Sequence, residues 1–351
     1  MADGGALRRQ LGVGDAVIIG AGSMIGAGVF AAWAPAAQAA GSGLLIGLAL
    51  AGAVALANAM SSAQLAALHP ESGGTYVYGR RQLGPGWGHL AGWGFIVGKT
   101  ASCAAMALTV GAYLWPEQER PVAVAAVVAI AAVNIGGLTR TVAVTRVLLA
   151  VSLTALTAIV LGGWTGGDAD LGRLTPIDAG PLDIIRSAGF LFFAFAGYAR
   201  IATLGEEVRD PERTIPRAIP AALGAVFALY VIVGVTALVV VGPTDLADTD
   251  APLRLVLGGD GPLAVLVRLG AGIAALGVLL NLIPGISRVG LAMARNRELP
   301  GWFAHVDANR SLPLRAELTL TAIIVALVLI LDLRNAIVVS GVAVLTYYAI
   351  T

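Results

Sequence analysis

The sequence predicts an all-α polytopic membrane protein, and three observations carry that prediction. Hydrophobic residues make up 58% of the chain and charged residues 12%, with a mean hydropathy of +0.85; a soluble domain carries about 25% charged residues. Apolar runs of the length that crosses a bilayer, about 17–25 residues, recur from one end of the chain to the other. Arginines collect in alternate loops, the bias that orients spanning helices.

Read by length, the spans fall at 16–38, 43–67, 88–114, 121–138, 143–163, 184–205, 217–242, 262–286, 316–332 and 335–351. The opening MADGGALRRQLGVGD lacks the basic, apolar and small-residue order of a signal peptide. Residues 1–15 are therefore expected to stay in the cytoplasm, as the N-terminal segment of an integral plasma membrane protein. Arg8, Arg9, Arg80, Arg81, Arg140, Arg146 and the arginines of 209–217, 288–297 and 310–315 then lie inside. The outside keeps Arg120, Arg173, Arg186, Arg254, Arg268 and Arg334, with Asp168, Asp170, Asp178, Asp245, Asp248, Asp250 and Asp260.

On this reading the first five spans occupy 16–163, an outer loop 164–183, and the second five spans 184–351. Because five is odd, the second set must lie inverted relative to the first. The last span, ending VVSGVAVLTYYAIT, stops without a polar flank and is read as an incomplete helix, truncated in the tenth span.

Residues 18–30, IIGAGSMIGAGVF, set four glycines and a serine in the middle of the first span. Lipid offers no partner to a free peptide group, so a spanning helix bonds its own backbone throughout. Glycine weakens that helix, and unwound backbone survives at this depth only where it lines a cavity. A second glycine-broken stretch, GFLFFAFAGYARIATLG at 189–205, opens the sixth span as the first opens the chain. Paired interruptions in two inverted halves point to a binding site at the bilayer midplane. Freed N–H groups favour a carboxylate and freed carbonyls an ammonium, so the pair suits a zwitterion. The alternative use of Gly22, Gly26 and Gly28 is close helix packing.

Four stretches resemble the amino acid–polyamine–organocation (APC) permeases: IGAGVF (25–30), SSAQLAALHPESGGTYVYGRRQLGP (61–85), FFAFAGYARIATLGEEVRDPERTIPRAI (192–219) and SRVGLAMARNRELPGWFAHV (287–306). The resemblance implies an inverted 5+5 helix repeat, the LeuT-like fold, with helices 1 and 6 broken. It also implies transport of an amino acid or related amine by alternating access. Carried over by position, Met24, Gly26, Ala27 and Gly28 would hold the carboxylate. Phe193, Ala196 and Gly197 would take the amine and close an aromatic over it. Ser102 and Cys103 would line the side-chain pocket. Asn281, strongly polar in the middle of span eight, either reaches the same cavity or bonds between helices.

Departures from the family pattern bear on coupling. Ser152 stands where some members carry a helix-5 lysine, which puts that route to proton coupling in doubt. Residues 263–286 hold no Ser or Thr, so a sodium site of the usual kind is not expected. Ala199 replaces an acidic residue common two places after the helix-6 glycine. Lys99, the only lysine of the chain, and Arg200 lie within spans instead. An ionised group at mid-bilayer costs about 3 kcal/mol on insertion scales, so it faces protein or a wet cavity. Lys99 is expected to serve as the movable charge, or else to snorkel toward the inner face. Arg200 is expected to bond freed carbonyls of the first helix and fill a cation position. Both charges disfavour cationic cargo and point to neutral amino acids moved by exchange, uniport or proton coupling.

The runner-up is a cationic amino acid or polyamine carrier, and a non-transporting amino acid sensor shares the same site. A channel would need a continuous polar path, and an enzyme a convergent nucleophile, metal set or acid–base pair. Neither pattern is present in the sequence. His69, His89 and His305 are not spaced as metal ligands, and nothing calls for a cofactor or a nucleic acid. ESGGTYVYGRR is expected as a partly helical inner loop with its tyrosines at the lipid interface.

Overall fold

The computed structural model describes residues 9–69, 71–166, 169–249, 252–258, 264–307 and 310–350. Arg8, Asp168, Asp250, Asp260 and Thr351 lie outside the described residues. The described residues form helices joined by short turns, and seven helical stretches are long and apolar enough to cross a membrane.

The first predicted span is divided into α1 (Val13–Met24), α2 (Ala27–Ala31) and α3 (Trp33–Ala40). The break is a real departure from the helix. Ile25 sits at ψ 87° and Gly26 is extended at φ −142°, ψ −153°. At Ala32 the chain remains right-handed helical, so α2 runs nearly straight into α3.

After α4 (Leu44–Leu68) and the short α5 (Thr75–Gln82) comes α6 (Pro85–Leu114). Proline opens α6, where a helix needs no N–H. Then follow α7 (Glu119–Ile135), α8 (Leu138–Thr165) and α9 (Pro181–Phe195). A 3-10 turn at Ala196–Tyr198 leads from α9 into α10 (Ala199–Ala202). The remainder is α11 (Pro211–Val241), α12 (Pro243–Ala247), α13 (Pro252–Leu255), α14 (Ala264–Arg295), α15 (Leu314–Ile330) and α16 (Leu333–Ile350).

Burial separates the centre of the bundle from its rim. The apolar windows of α6 and α14 are 83% and 72% buried, whereas that of α8 is 28% buried. The outer face of α8 presents Val147, Val151, Leu161 and Trp164, side chains that only a lipid environment covers favourably. α6 packs on α14 and α16, α4 on α9 and α11, and α1 on α11, α8 and α14. Near the N-terminus, the Gln10 and Leu11 N–H groups donate to the Glu207 carbonyl, and Leu11 bridges Val208. The start of the chain is thus fastened to the exit of the sixth span.

Two expectations need correction. Arg288 is not in an inner loop, because α14 continues to Arg295 and buries Arg288 to 1% exposure. Its charge is met by two carboxylates, so the helix need not end to release it. Tyr76 and Tyr78 are not at the lipid interface either. Both are fully buried, with the Tyr78 hydroxyl on the Ala202 carbonyl at 3.3 Å.

Candidate functional site

The two interruptions meet. A Cβ built on Gly197 would stand 2.2 Å from the Ser23 carbonyl oxygen and 2.6 Å from the Met24 nitrogen. Only glycine allows the 3-10 turn after α9 to lie on the backbone where α1 ends. Gly28 crosses α9 at Ala194 in the same way, with its Cβ position 3.0 Å from the Ala194 Cα.

The two breaks differ in form. At the first, Ile25 N–H closes α1 onto Ala21 and Val29 N–H opens α2 onto Gly26. The N–H groups of Gly26, Ala27 and Gly28 stand where a starting helix has no internal acceptor. The expected unwinding of helix 6 is much slighter: Phe195, Ala196, Tyr198 and Ala199 keep right-handed helical angles. A tightened turn still tilts carbonyls out of the ladder, and side chains from other helices take them. Ala196 O accepts from Tyr348 Oη at 2.7 Å and from Lys99 Nζ at 3.3 Å. Tyr230 Oη spans the two interruptions, donating to Met24 O at 2.8 Å with Ala194 O at 3.1 Å.

Between the breaks lies a cavity of about 30 Å³, lined by Ser23, Met24, Gly26, Gly28, Lys99, Ser102, Met106, Phe193, Ala194, Ala196, Gly197, Val278 and Leu282. That volume holds a water or two and no amino acid. Above it a vestibule of about 1130 Å³ opens on the side away from the N-terminus, walled by α6, α9, α14 and the turn Trp115–Glu117. Gly28, Met106 and Phe193 line both spaces, so Phe193 lies where the vestibule meets the cavity.

The side nearer the N-terminus is sealed by charge. Arg288 holds Glu207 with two bonds, Nε–Oε2 at 3.0 Å and Nη2–Oε1 at 2.5 Å, and Glu317 Oε1 with Nη1 at 2.9 Å. Arg200 donates to the Asn281 carbonyl at 2.9 Å and to Thr203 Oγ1 at 2.5 Å. Its fields reach Glu207, Glu317 and Arg288. Burial alone would raise the Glu207 carboxyl. The charge and hydrogen bonds of Arg288, with a contribution from Arg200, outweigh it and hold the group below its ordinary value of 4.5.

The structure brings Met24, Gly26, Gly28, Ser102, Phe193, Ala196 and Gly197 around the cavity and adds Lys99. It places other residues elsewhere. Cys103 is buried and does not line the cavity. Asn281 bonds Gly277 O at 2.8 Å and accepts from Thr145 Oγ1 at 3.2 Å, the interhelical role. Ser152 is buried with its hydroxyl on Leu148 O. Arg200 does not reach the first helix; it turns to α14, because Asn281 O and Thr203 supply its acceptors. Lys99 does not snorkel, being 5% exposed with its ammonium at the helix-6 turn. Missed from sequence were Tyr230, Tyr348, Arg288, Glu207 and Glu317. An RxxxE-type signal could not reveal the ion cluster, whose members lie 81 and 29 residues apart.

A bundle of spanning helices around a closed cavity with a vestibule above it has the build of a membrane transporter, and no convergent metal-binding group of His, Cys, Asp and Glu occurs among the described residues. Residues 11–351 match the amino acid permease family, and the chain belongs to that family. It is 58% identical over 98% of its length to an uncharacterised transporter of Mycobacterium tuberculosis, of which it covers 79%. It is 28% identical over 94% of its length to a chloroplastic cationic amino acid transporter of Arabidopsis thaliana, covering 62% of it. To a serine/threonine exchanger of Bacillus subtilis it is 27% identical over 84% of its length, covering 70% of it. The chain is a transporter and not an enzyme.

Proposed function

We propose that the protein is a secondary transporter that carries amino acids across the cell membrane by alternating access, with its N-terminus in the cytoplasm. Helices α1 to α8 and α9 to α16 form two inverted five-span repeats in this reading. The cargo sits between the interruptions of the first and sixth spans. Its carboxylate lies on the N–H groups of Gly26, Ala27 and Gly28, and its ammonium on the carbonyls near Ala196 and Gly197. Phe193 closes over it, and Ser102 and Met106 face its side chain.

The observation that carries the proposal is the cavity at the foot of the vestibule, where two broken helices touch through glycine. The Arg288 cluster is the closed inner gate of this conformation. A transport step opens it and closes the vestibule, so the present state faces outward with its binding cavity collapsed. No sodium is needed, since Arg200 and Asn281 occupy the space between α10 and α14 with their own hydrogen bonds. Cargo moves by exchange or uniport. Cationic cargo is disfavoured, because Lys99 at the cavity repels a second positive charge.

Counterflow in proteoliposomes tests this. Vesicles holding one unlabelled amino acid are mixed with its labelled form outside, under symmetric ions. Labelled amino acid accumulates only in vesicles loaded with a transported species. No accumulation across the twenty amino acids, from folded and inserted protein, contradicts the proposal.

A further inference from the structure

The buried charges of the described residues do not balance. Five ionisable side chains of the Lys, Arg, Asp and Glu types are at most 5% exposed: Lys99, Arg200, Glu207, Arg288 and Glu317. Three are cations and two are carboxylates. Arg288 pairs directly with Glu207 and Glu317 in the cluster that seals the inner side, and Arg200 lies beside it, bonded to the Asn281 carbonyl and Thr203. Arg200 and its neighbours thus share one side of the molecule with both buried carboxylates, and Lys99 is the buried cation with neither nearby.

Lys99 stands apart in space as well. Its neighbours are the Ala196 carbonyl at 3.3 Å and the Tyr347 ring, with the centroid 5.9 Å from Nζ. No carboxylate of the described residues lies within ion-pair distance of it. A carbonyl and a ring face soften a buried ammonium, but a buried cation ordinarily persists by pairing with an anion. Here the ammonium lines the one space between the two interruptions, beside Ser102 and Met106.

We infer that the missing anion arrives with the cargo: the site takes an amino acid whose side chain carries a carboxylate, and Lys99 Nζ is its counter-ion. The inference rests on the transport reading above and narrows its substrate class to L-glutamate and L-aspartate. In that reading the α-carboxylate belongs to the wall formed by Gly26–Gly28. Lys99 rises from α6 on another wall, where the cargo side chain lies. A dicarboxylate therefore meets one positive partner at each end.

The same geometry gives the ammonium its place. Lys99 now occupies the Ala196 carbonyl that the cargo's α-ammonium requires. When Nζ turns to the incoming carboxylate it frees one lone pair of that oxygen, the other remaining with Tyr348 Oη. One rotation of a lysine side chain thus both pairs the anion and opens the amine site. Glutamine and asparagine have the same shape as the acids but lack the charge.

Uptake ratios decide the matter. Proteoliposomes of the full chain are loaded with unlabelled L-glutamate, L-aspartate, L-glutamine, L-asparagine, L-serine or L-arginine and assayed with the matching labelled compound. Wild-type protein is expected to prefer an acid over its amide by about tenfold or more, the discrimination one charge-assisted bond supplies. Lys99→Gln is expected to collapse that ratio to about one, and Lys99→Arg to keep much of it. Acid-dependent protection of the purified wild-type protein against heat, absent with the amide, reads the same preference without any variant. Transport of serine or the amides with no preference for the acids overturns this inference and leaves the transport reading intact. An acid preference that Lys99→Gln leaves unchanged also overturns it. Failure to move or bind any amino acid overturns both.

Discussion

Gly197 has no room for a side chain because Ser23 is already there: a Cβ at position 197 would fall 2.2 Å from the Ser23 carbonyl oxygen. The contact joins the two interrupted spans backbone to backbone. It fixes how closely the two interruptions approach. Everything else in the site is arranged around that crossing, including Tyr230, which ties Met24 to Ala194 from a third helix.

Gly197→Ala is the direct consequence. A methyl group cannot enter without moving α1 against the turn, and such overpacking costs about 1–3 kcal/mol. Uptake in proteoliposomes is expected to fall at least about tenfold with a lowered melting temperature, whereas Gly189→Ala, whose Cβ meets nothing within 4 Å, leaves both unchanged.

Tyr230→Phe removes the hydroxyl whose one proton serves Met24 O, the nearer of the two buried carbonyls beside it. A carbonyl left without its partner costs about 1–3 kcal/mol. The variant is expected to melt below wild type and to bind cargo more weakly. Thermal unfolding in detergent and equilibrium binding check the two effects separately.

Glu207 contributes a pH dependence with a fixed sign. The Glu207 carboxyl is held below its ordinary value of 4.5 in the folded protein, chiefly by Arg288 working against burial. Such a group contributes stability above the unfolded value, and that contribution is lost as pH falls through the folded value. Melting temperature is therefore expected to be level near neutrality and to decline below about pH 4.5 as this carboxylate protonates. Glu207→Gln leaves Arg288 with one carboxylate; breaking a buried pair this way costs about 3–5 kcal/mol. The variant is expected to melt lower at neutral pH and to lose part of the acid-side decline. A variant as stable as wild type at pH 7 contradicts this assignment.

The architecture was legible where it depends on local pattern. Apolar length located most helices to within about five residues but ended the eighth span at 286, where α14 runs on to Arg295, and began the seventh at 217, where α11 starts at Pro211. The break at Ile25–Gly26 could be read because glycine weakens a helix on its own account. The second interruption was found, but not its form. Whether FAFAGYA unwinds or tightens depends on what caps its carbonyls, and Tyr348 and Lys99 come from distant parts of the chain. Arg288 was misplaced because hydropathy charges an arginine its full transfer penalty and cannot see Glu207 and Glu317. Tyr230 and Tyr348 carried no signal, because their partners are peptide oxygens that become available only in the folded bundle. Asn281 could be read as polar in mid-span, but its partner Thr145, 136 residues away in the chain, could not.

The measurement that tests the account most directly asks from which side the cavity can be reached. The chain has a single cysteine, Cys103, which is buried off the cavity, so Cys103→Ser gives a background for one probe. Met106→Cys places a thiol where vestibule and cavity meet. Without cargo, a membrane-impermeant thiol reagent is expected to modify it faster from the vestibule side, the side this conformation leaves open. With transported amino acid on both sides, modification from the opposite side is expected to appear, as cycling turns the cavity inward. Reaction from both sides together with ion conductance through the vesicles would mean an open pore, and no reaction from the second side during measured turnover would mean that cargo does not pass through this cavity. Either result contradicts alternating access at the crossing of the two broken helices.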